Sequence, residues 1–146
     1  MTMVRTRVLM LGLSLVPFIA SAARAADLTV TVKEVRNAKG SVLVAVYDGE
    51  ASFGKPEFAK ARQKAQAHQG EVTFVFHDLK AGTYAVAAFH DENGNGKLDR
   101  NALGVPTEGW GFSNDAQGNS GPPKFTQAAF DLDGQAEKSI DFSLNY

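Results

Sequence analysis

After an N-terminal apolar segment, the chain alternates between apolar and polar residues with the period of two that is typical of half-buried β-strands. In the first such run Leu28, Val30 and Val32 share one face, and the residues between them are polar. Residues 37–40 then supply turn residues, and the alternation resumes over residues 41–48. The sequence therefore predicts two consecutive strands that pair as a hairpin.

Four further short runs also have strand character. They cover residues 71–77, 83–90, 127–132 and 137–144. Gly-rich turns separate the runs, and no long helical pattern interrupts them. Six or seven short strands joined in this way are typical of an all-β fold. We therefore expect an antiparallel β-sandwich of about seven strands with one long Gly-rich loop, rather than a parallel α/β sheet.

The segment 52–69 fits neither pattern clearly. Pro56 suits the first turn of a helix, and the residues after it are rich in helix formers. Their apolar positions are mostly alanine, so they give no strong buried stripe. The pattern leaves helix and strand open for residues 56–68.

The first 25 residues have the pattern of an export signal. Arg5 and Arg7 form a positively charged start, residues 8–20 are almost uninterruptedly apolar, and residues 23–25 provide the small-x-small pattern that a signal peptidase reads. The alternative is an uncleaved membrane anchor, but the apolar run is shorter than the roughly 20 residues that cross a bilayer. We expect residues 26–146 to form one β-sandwich domain that is periplasmic or extracellular, without membrane insertion.

Removal of this signal peptide changes the charge of the protein. Three of the 15 basic residues lie in the signal, which leaves 12 basic and 16 acidic side chains and a net charge of −4. Nucleic acid as a partner is therefore excluded, because its binding needs a basic surface. The chain has no cysteine, so no disulfide stabilises the domain in an oxidising compartment, and a bound metal could supplement the core.

Residues 91–99, with the sequence DENGNGKLD, match the first part of a calcium-binding loop. Alternating residues of a tightly curled loop point their oxygens at one centre, and Gly96 at position six allows a turn that a Cβ would obstruct. The candidate ligands of a calcium cofactor are Asp91, Asn93, Asn95, the backbone carbonyl of Lys97, and Asp99.

The loop departs from the calcium pattern at position twelve, which is Ala102 rather than a bidentate glutamate. We expect a distant acid such as Glu108 to complete the metal site, with an affinity of roughly 10⁻⁴ to 10⁻³ M, as in extracellular modules. The alternative is a metal-free turn in which the Asn-Gly repeat serves positive φ angles.

Residues 101–126 form a stretch without periodicity that is longer than an ordinary connection in a small domain. Its large apolar side chains argue against disorder, because they favour packing. One interpretation places Trp110 and Phe112 on a ligand-binding surface, with Ser113 and Asn114 as polar contacts. The alternative folds the two rings over an open end of the sandwich as a plug.

Two of the three histidines occur in the same tripeptide, Phe-His-Asp, at residues 76–78 and 89–91. If the two strands that contain them are antiparallel neighbours, His77 and His90 lie at opposite ends of the sheet. We therefore expect His77 to be an outward strand residue. His90 directly precedes the acidic loop, and we expect it to support the loop as a hydrogen-bond donor.

The sequence contains no nucleophile elbow, zinc-protease motif, phosphate loop or thiol nucleophile. The leading hypothesis is a non-catalytic exported module, in which a calcium-ordered loop presents the Trp110 region to a protein or glycan of the cell envelope. The alternative is a secreted, glycosidase-like hydrolase that uses Glu108 with Asp91 or Asp115 as its carboxylate pair.

Three blocks, GTYAVAAFHDENGNGKLD, LGVPTEGWGFSND and GPPKF, resemble the bacterial secreted family called domain of unknown function 2141. The resemblance covers nearly the whole chain after residue 25. It implies an exported sandwich of the immunoglobulin-like or transthyretin-like type, an extended segment before Glu71, and no assigned activity. Trp110 stands where the family usually has another aromatic residue. The family pattern falls on Gly82, Tyr84, His90, Asp91, Asn93, Asn95, Gly96, Asp99, Gly104, Pro106, Glu108, Gly109, Gly111, Phe112, Ser113, Asn114, Gly121, Pro122 and Phe125.

Overall fold

Two β-sheets packed against each other make up the fold in a computed structural model, which describes residues 25–134 and 137–146. Residues 1–24 of the expected signal peptide lie outside the described residues, and its last residue, Ala25, is the first residue of β1. The strands are β1 (Ala25–Val35), β2 (Ser41–Tyr47), β3 (Ala61–Gln66), β4 (Gly70–Lys80), β5 (Gly82–Asp91), β6 (Trp110–Phe112), β7 (Phe130–Leu132) and β8 (Glu137–Ser143). The short helical elements are α1 (Phe125–Ala128) and the 3-10 turns Pro56–Phe58 and Ser113–Asp115.

One sheet has the strand order β4-β1-β8. The other has the order β3-β2-β5-β6, and β7 also pairs with β5. The predicted all-β sandwich is confirmed. Its strand pairs are antiparallel, as predicted, except for β1 and β8, which run parallel. β7 pairs with β5 in one sheet, and β8 lies in the other. The last strand, β8, therefore lies beside the first strand, β1, and runs in the same direction.

The predicted hairpin of β1 with β2 is wrong, because these strands lie in different sheets. β1 pairs with β4 and β8, whereas β2 pairs with β3 and β5. The connection between them is tight, since Gly40 has a φ of +64° and a Cβ there would collide with the carbonyl oxygen of Asp91. Both arrangements point the two valine faces into one core, so alternation alone does not distinguish them.

The segment before Glu71, which the pattern left open, is largely extended. A 3-10 turn covers Pro56–Phe58, and strand β3 then pairs with β2. Most side chains of β3 are exposed, while Ala61 and Ala65 pack against the core. Small alanines on the inner face are sufficient for an edge strand, which explains why the sequence lacks a strong apolar stripe here.

Two later stretches differ locally from the prediction. The strand expected over residues 127–132 is shorter, because α1 occupies its first part and β7 only its end. The stretch 101–126, expected to lack strands, contains the three-residue strand β6, which pairs with β5. These short elements are too brief to give a periodic signal.

The inner faces of both sheets form the main core. Its fully buried members include Leu28, Val30, Val32, Val42, Val46, Val86 and Phe142. On one side of the sandwich the last residues of the chain join the sheets. The backbone N–H of Trp110 donates to the carbonyl of Asn145 at 2.9 Å, and the N–H of Asn145 donates back at 2.7 Å. This pair fixes β6, and with it the start of the aromatic segment, against the end of the chain.

Candidate functional site

The acidic loop begins at the last residue of β5, Asp91, whose side chain is buried. One carboxylate oxygen of Asp91 accepts hydrogen bonds from the backbone N–H groups of Gly94 (2.9 Å) and Asn95 (3.1 Å), and the other accepts from Gly96 (2.8 Å). Gly94 and Gly96 have φ angles of +76° and +75°. The Asn-Gly repeat therefore supplies the left-handed turns that curl the loop around the Asp91 carboxylate.

Three of the predicted ligand side chains converge at the outer side of this curl. The amide nitrogens of Asn93 and Asn95 both donate to the Asp99 carboxylate, from Asn95 at 2.9 Å. Their amide oxygens accept from backbone N–H groups of the same loop, including that of Lys97. The Asp99 carboxylate is thus bound by two amide N–H donors, whereas in a calcium site it would bind the cation.

Glu108 reaches the loop, as predicted, but it contacts the backbone rather than the other ligand side chains. It is 5% exposed, and its two oxygens accept the N–H of Glu92 at 2.9 Å and the N–H of Asp99 at 3.1 Å. Glu92 and Asp99 stand at opposite ends of the loop, so one carboxylate holds both ends together. The N–H of Thr107 also donates to the carbonyl of Asp99 at 2.9 Å.

The donor set has the chemistry that calcium prefers, since it consists of oxygens only. Across residues 25–134 and 137–146, no three His, Cys, Asp or Glu side chains form a group that could hold a metal ion. An ion in this loop would therefore depend on the amide oxygens of Asn93 and Asn95 and on the Lys97 carbonyl, beside the carboxylates of Asp91 and Asp99. The amides would have to turn their oxygens toward the ion.

Glu92 lies on the other side of the loop base and pairs with Arg36 at 2.5 Å. The amide of Asn37 donates to its second oxygen at 3.1 Å. Burial acts to raise the pKa of Glu92, but the hydrogen bonds from Asn37 and Arg36 and the positive charge of Arg36 outweigh it, so the pKa lies below its ordinary value of 4.5. These contacts attach the acidic loop to the end of β1.

His90 does not support the acidic loop in the way expected. Its ring is fully buried, with Nε2 2.7 Å from the carbonyl oxygen of Lys39 and Nδ1 2.8 Å from the hydroxyl of Tyr146. Because a carbonyl only accepts, Nε2 donates to it, and in the neutral ring Nδ1 accepts from the tyrosine hydroxyl. His90 therefore links the C-terminal Tyr146 to the connection that follows β1, and burial raises the pKa of that tyrosine.

The prediction for His77 is confirmed, because the side chain is exposed and pairs with Asp27 at 2.8 Å. The premise that placed it opposite His90 is wrong. β4 and β5 are consecutive but belong to different sheets.

The two rings of the aromatic segment both border a groove, and neither plugs an open end of the sandwich. Phe112 packs near Phe53, with ring centroids 5.7 Å apart, in a second cluster that also contains Phe125 and Ala85. Ala85 faces away from the main core, since its neighbours along β5 belong to that core. Phe112 therefore covers the outer face of the five-stranded sheet, rather than an open end of the sandwich. Trp110 is half-buried and lies at the edge of a groove.

Ser113 and Asn114, expected as ligand contacts, are bonded within the domain. The hydroxyl of Ser113 is buried, accepts the N–H of Val86 at 2.9 Å and donates to the carbonyl of Ala128. Asn114 has a φ of +62°, and its amide donates to the carbonyl of Ala129 at 2.9 Å. Both side chains thus attach the aromatic segment to neighbouring elements.

The groove beside Trp110 has a volume of about 490 Å³ and is built by a single stretch of chain, residues 98–122. Its lining combines apolar side chains with amide and hydroxyl groups and one arginine. It is lined by Leu98, Arg100, Leu103, Gly104, Val105, Pro106, Trp110, Phe112, Gln117, Gly118, Asn119, Ser120, Gly121 and Pro122. Sequence reasoning found the two aromatic rings of this set and missed the rest.

A tight turn shapes the apolar part of the lining around Leu103 and Val105. The side-chain oxygen of Asn101 accepts the N–H groups of Leu103 (2.9 Å) and Val105 (3.1 Å), and the N–H of Gly104 donates to the Asn101 carbonyl at 2.9 Å. The turn holds Leu103 at 88% exposure and Val105 at 54%. The sequence signal that could have indicated this part of the groove is the presence of two apolar residues, Leu103 and Val105, in a Gly-containing turn outside any predicted strand.

The fold is an all-β sandwich with a groove beside Trp110 and a curled acidic loop after β5. The sequence model of a bacterial family, described as an uncharacterized protein conserved in bacteria and as domain of unknown function 2141, matches residues 30–140. The chain belongs to this family, which confirms the resemblance. Comparison with curated proteins and with solved structures found no match. No helix among the described residues is long and apolar enough to cross a membrane.

Proposed function

We propose that this protein is a non-catalytic module, exported to the periplasm or cell surface, that binds carbohydrate in the groove of residues 98–122. The observation that carries this proposal is the groove itself, with its volume of about 490 Å³. That volume lies within the range of small-ligand sites. The N-terminal signal pattern supports export, because its apolar run is followed by a cleavage pattern.

The mixed apolar and polar lining of the groove favours a sugar over a protein partner. A sugar ring has an apolar face of C–H groups and a polar edge, and the groove offers Trp110 for the first and the amides of Gln117 and Asn119 for the second. A protein partner would need a larger interface, of the order of 800 Å² on each side. A groove of this volume suits a small, amphipathic ligand better.

The geometry gives no support to the hydrolase alternative. Glu108 and Asp91 are both buried, and each carboxylate accepts hydrogen bonds from backbone N–H groups on both of its oxygens. Asp115 accepts the N–H of Ser143 at 2.7 Å. A glycosidase needs two carboxyl groups that face the scissile bond from opposite sides, whereas these three carboxylates serve the backbone.

Replacing Trp110 with alanine tests the proposed function. We expect the variant to remain folded and to lose about tenfold or more of its affinity for oligosaccharides, because buried aromatic contacts dominate binding surfaces. Phe58→Ala is the control variant, because Phe58 is an aromatic residue that is 62% exposed on a 3-10 turn outside the groove. Isothermal titration of both variants with oligosaccharides of the cell envelope gives the measurement. Equal affinities in the wild type and in Trp110→Ala would contradict the proposal.

We further propose that the acidic loop binds calcium and thereby fixes one end of the groove. Its support is the convergence of Asn93 and Asn95 on Asp99, whose neighbour Leu98 lines the groove. When bound, the ion would supply positive charge in place of the two amide groups. Glu108 would hold the loop ends in either state.

Calcium is expected to raise the melting temperature by a few degrees. With a dissociation constant near 10⁻³ M, about 10 mM calcium contributes about 1.4 kcal/mol. Differential scanning fluorimetry with calcium and with a chelator measures the shift, and Asp99→Ala should abolish it. Asp141→Ala, which removes an exposed carboxylate on β8, serves as control. A wild-type melting temperature that is identical in calcium and chelator would rule out the ion site.

A further inference from the structure

We infer that the groove selects an acidic saccharide, whose carboxylate binds the guanidinium of Arg100. This inference rests on the proposed function and names its ligand class. Among the described residues that line the groove, Arg100 is the only charged side chain. The other lining residues are apolar, amide-bearing, hydroxylic or glycine. A cation without a carboxylate beside it in an otherwise neutral groove is complementary to one negative charge on a ligand.

Arg100 is held in place for this role. Its Nη1 donates to the carbonyl of Gly104 at 2.9 Å, and its backbone pairs with Pro106 across the base of the turn. A guanidinium has five N–H groups in a fixed fork, so the bond to Gly104 leaves four for a ligand. A carboxylate accepts two such N–H groups in parallel.

No acidic side chain in the described part of the chain forms an ion pair with Arg100. The side chain is exposed, so its charge is available to a ligand. The mature protein has a net charge of −4, and its overall field therefore repels anions. Attraction of an acidic ligand must therefore come from the local charge of Arg100. Replacing Arg100 should weaken the binding of acidic ligands in particular.

The polar part of the lining argues for a sugar acid rather than a fatty acid. Gln117, Asn119 and Ser120 bring amide and hydroxyl groups to the groove. An acyl chain would cover these polar groups without giving them hydrogen-bond partners, which costs free energy. The hydroxyl groups of a uronate supply such partners, while its ring face packs on Trp110.

The test uses the fluorescence of Trp110, the only tryptophan in the chain. Oligosaccharides of galacturonate, glucuronate and mannuronate are titrated in sodium buffer, each beside its neutral counterpart of equal length. The proteins are the wild type, Arg100→Gln, and the control Arg62→Gln. Arg62 is an exposed cation on β3, at the opposite edge of the five-stranded sheet from β6.

We expect the wild type to bind at least one uronate about ten- to hundredfold more tightly than its neutral counterpart. Arg100→Gln should remove this preference, because it weakens binding of the uronate about ten- to hundredfold more than binding of the neutral sugar. Arg62→Gln should change neither affinity. Equal wild-type affinities for acidic and neutral sugars, or a preference that survives Arg100→Gln, would overturn the inference while the carbohydrate function stands. Binding of neither sugar would overturn both. Binding of dodecanoate alone would replace the sugar acid by a fatty acid.

Discussion

Replacing Glu108 with alanine is expected to lower the free energy of unfolding by about 2–4 kcal/mol, which corresponds to a fall in melting temperature of the order of 10 °C. The carboxylate is 5% exposed and accepts one backbone N–H from each end of the acidic loop. Removal of the side chain leaves both donors without their partner and detaches the loop ends from each other. Thermal and urea unfolding of the variant measure the loss.

Two further variants separate this clamp from a general effect of losing a negative charge. Glu50 is an exposed glutamate in the turn after β2, and Glu50→Ala should change the stability by no more than about 0.5 kcal/mol. Glu108→Gln keeps the shape but presents an N–H to one of the two backbone donors, so it should lose much of the stability that alanine loses. A Glu108→Ala protein as stable as Glu50→Ala would show that the clamp contributes nothing.

Gly111→Ala is expected to lower the free energy of unfolding by about 2–3 kcal/mol. A Cβ at Gly111 would lie 2.5 Å from the carbonyl oxygen of Ser143 and 3.1 Å from the ring of Phe142. Because the first of these is a backbone atom, relief requires β6 to move away from β8. Such a movement would displace Trp110 and Phe112 on either side, so ligand binding should weaken together with stability.

Gly49→Ala is the matched control for this prediction. A Cβ at Gly49 meets nothing within 4 Å, and its φ is not in the left-handed region. We expect this variant to be as stable as the wild type or slightly more stable, because alanine restricts the unfolded chain. Chemical unfolding measured side by side gives the comparison. If the two alanine variants unfold at the same denaturant concentration, the close approach of β6 and β8 has no energetic consequence.

The sequence predicted which residues of a strand face the core, but not which strands are neighbours. Alternation placed Leu28, Val30 and Val32 on one face correctly, since that signal depends only on the pleat of a single strand. The hairpin of β1 with β2 was wrong because the same alternation fits a connection that crosses between sheets. The parallel pairing of β1 with β8 depends on contacts more than 100 residues apart in the chain, for which a local pattern carries no information.

For the candidate site too, the sequence predicted a local feature, the curled loop, but not the contacts between distant parts of the chain. The Asn-Gly repeat correctly indicated a curled loop after β5. Glu108 lies beside this loop, as expected, while its role as a metal ligand stays a prediction. The pattern gave no sign that this carboxylate would bind backbone N–H groups. The groove wall at Arg100 and Leu103 was missed, because it is formed by an aperiodic turn that the side chain of Asn101 organises. Hydrogen bonds of this kind leave no periodic trace in the sequence.

The most direct test of the account is to map a bound sugar onto the chain by nuclear magnetic resonance. The isotope-labelled protein is titrated with the tightest-binding oligosaccharide, and the shifts of the backbone amides and the Trp110 indole N–H are followed. The account predicts saturable shifts concentrated in residues 98–122, with the indole among the largest. Shifts concentrated on the outer face of the β4-β1-β8 sheet, or no shifts at millimolar sugar, would contradict it.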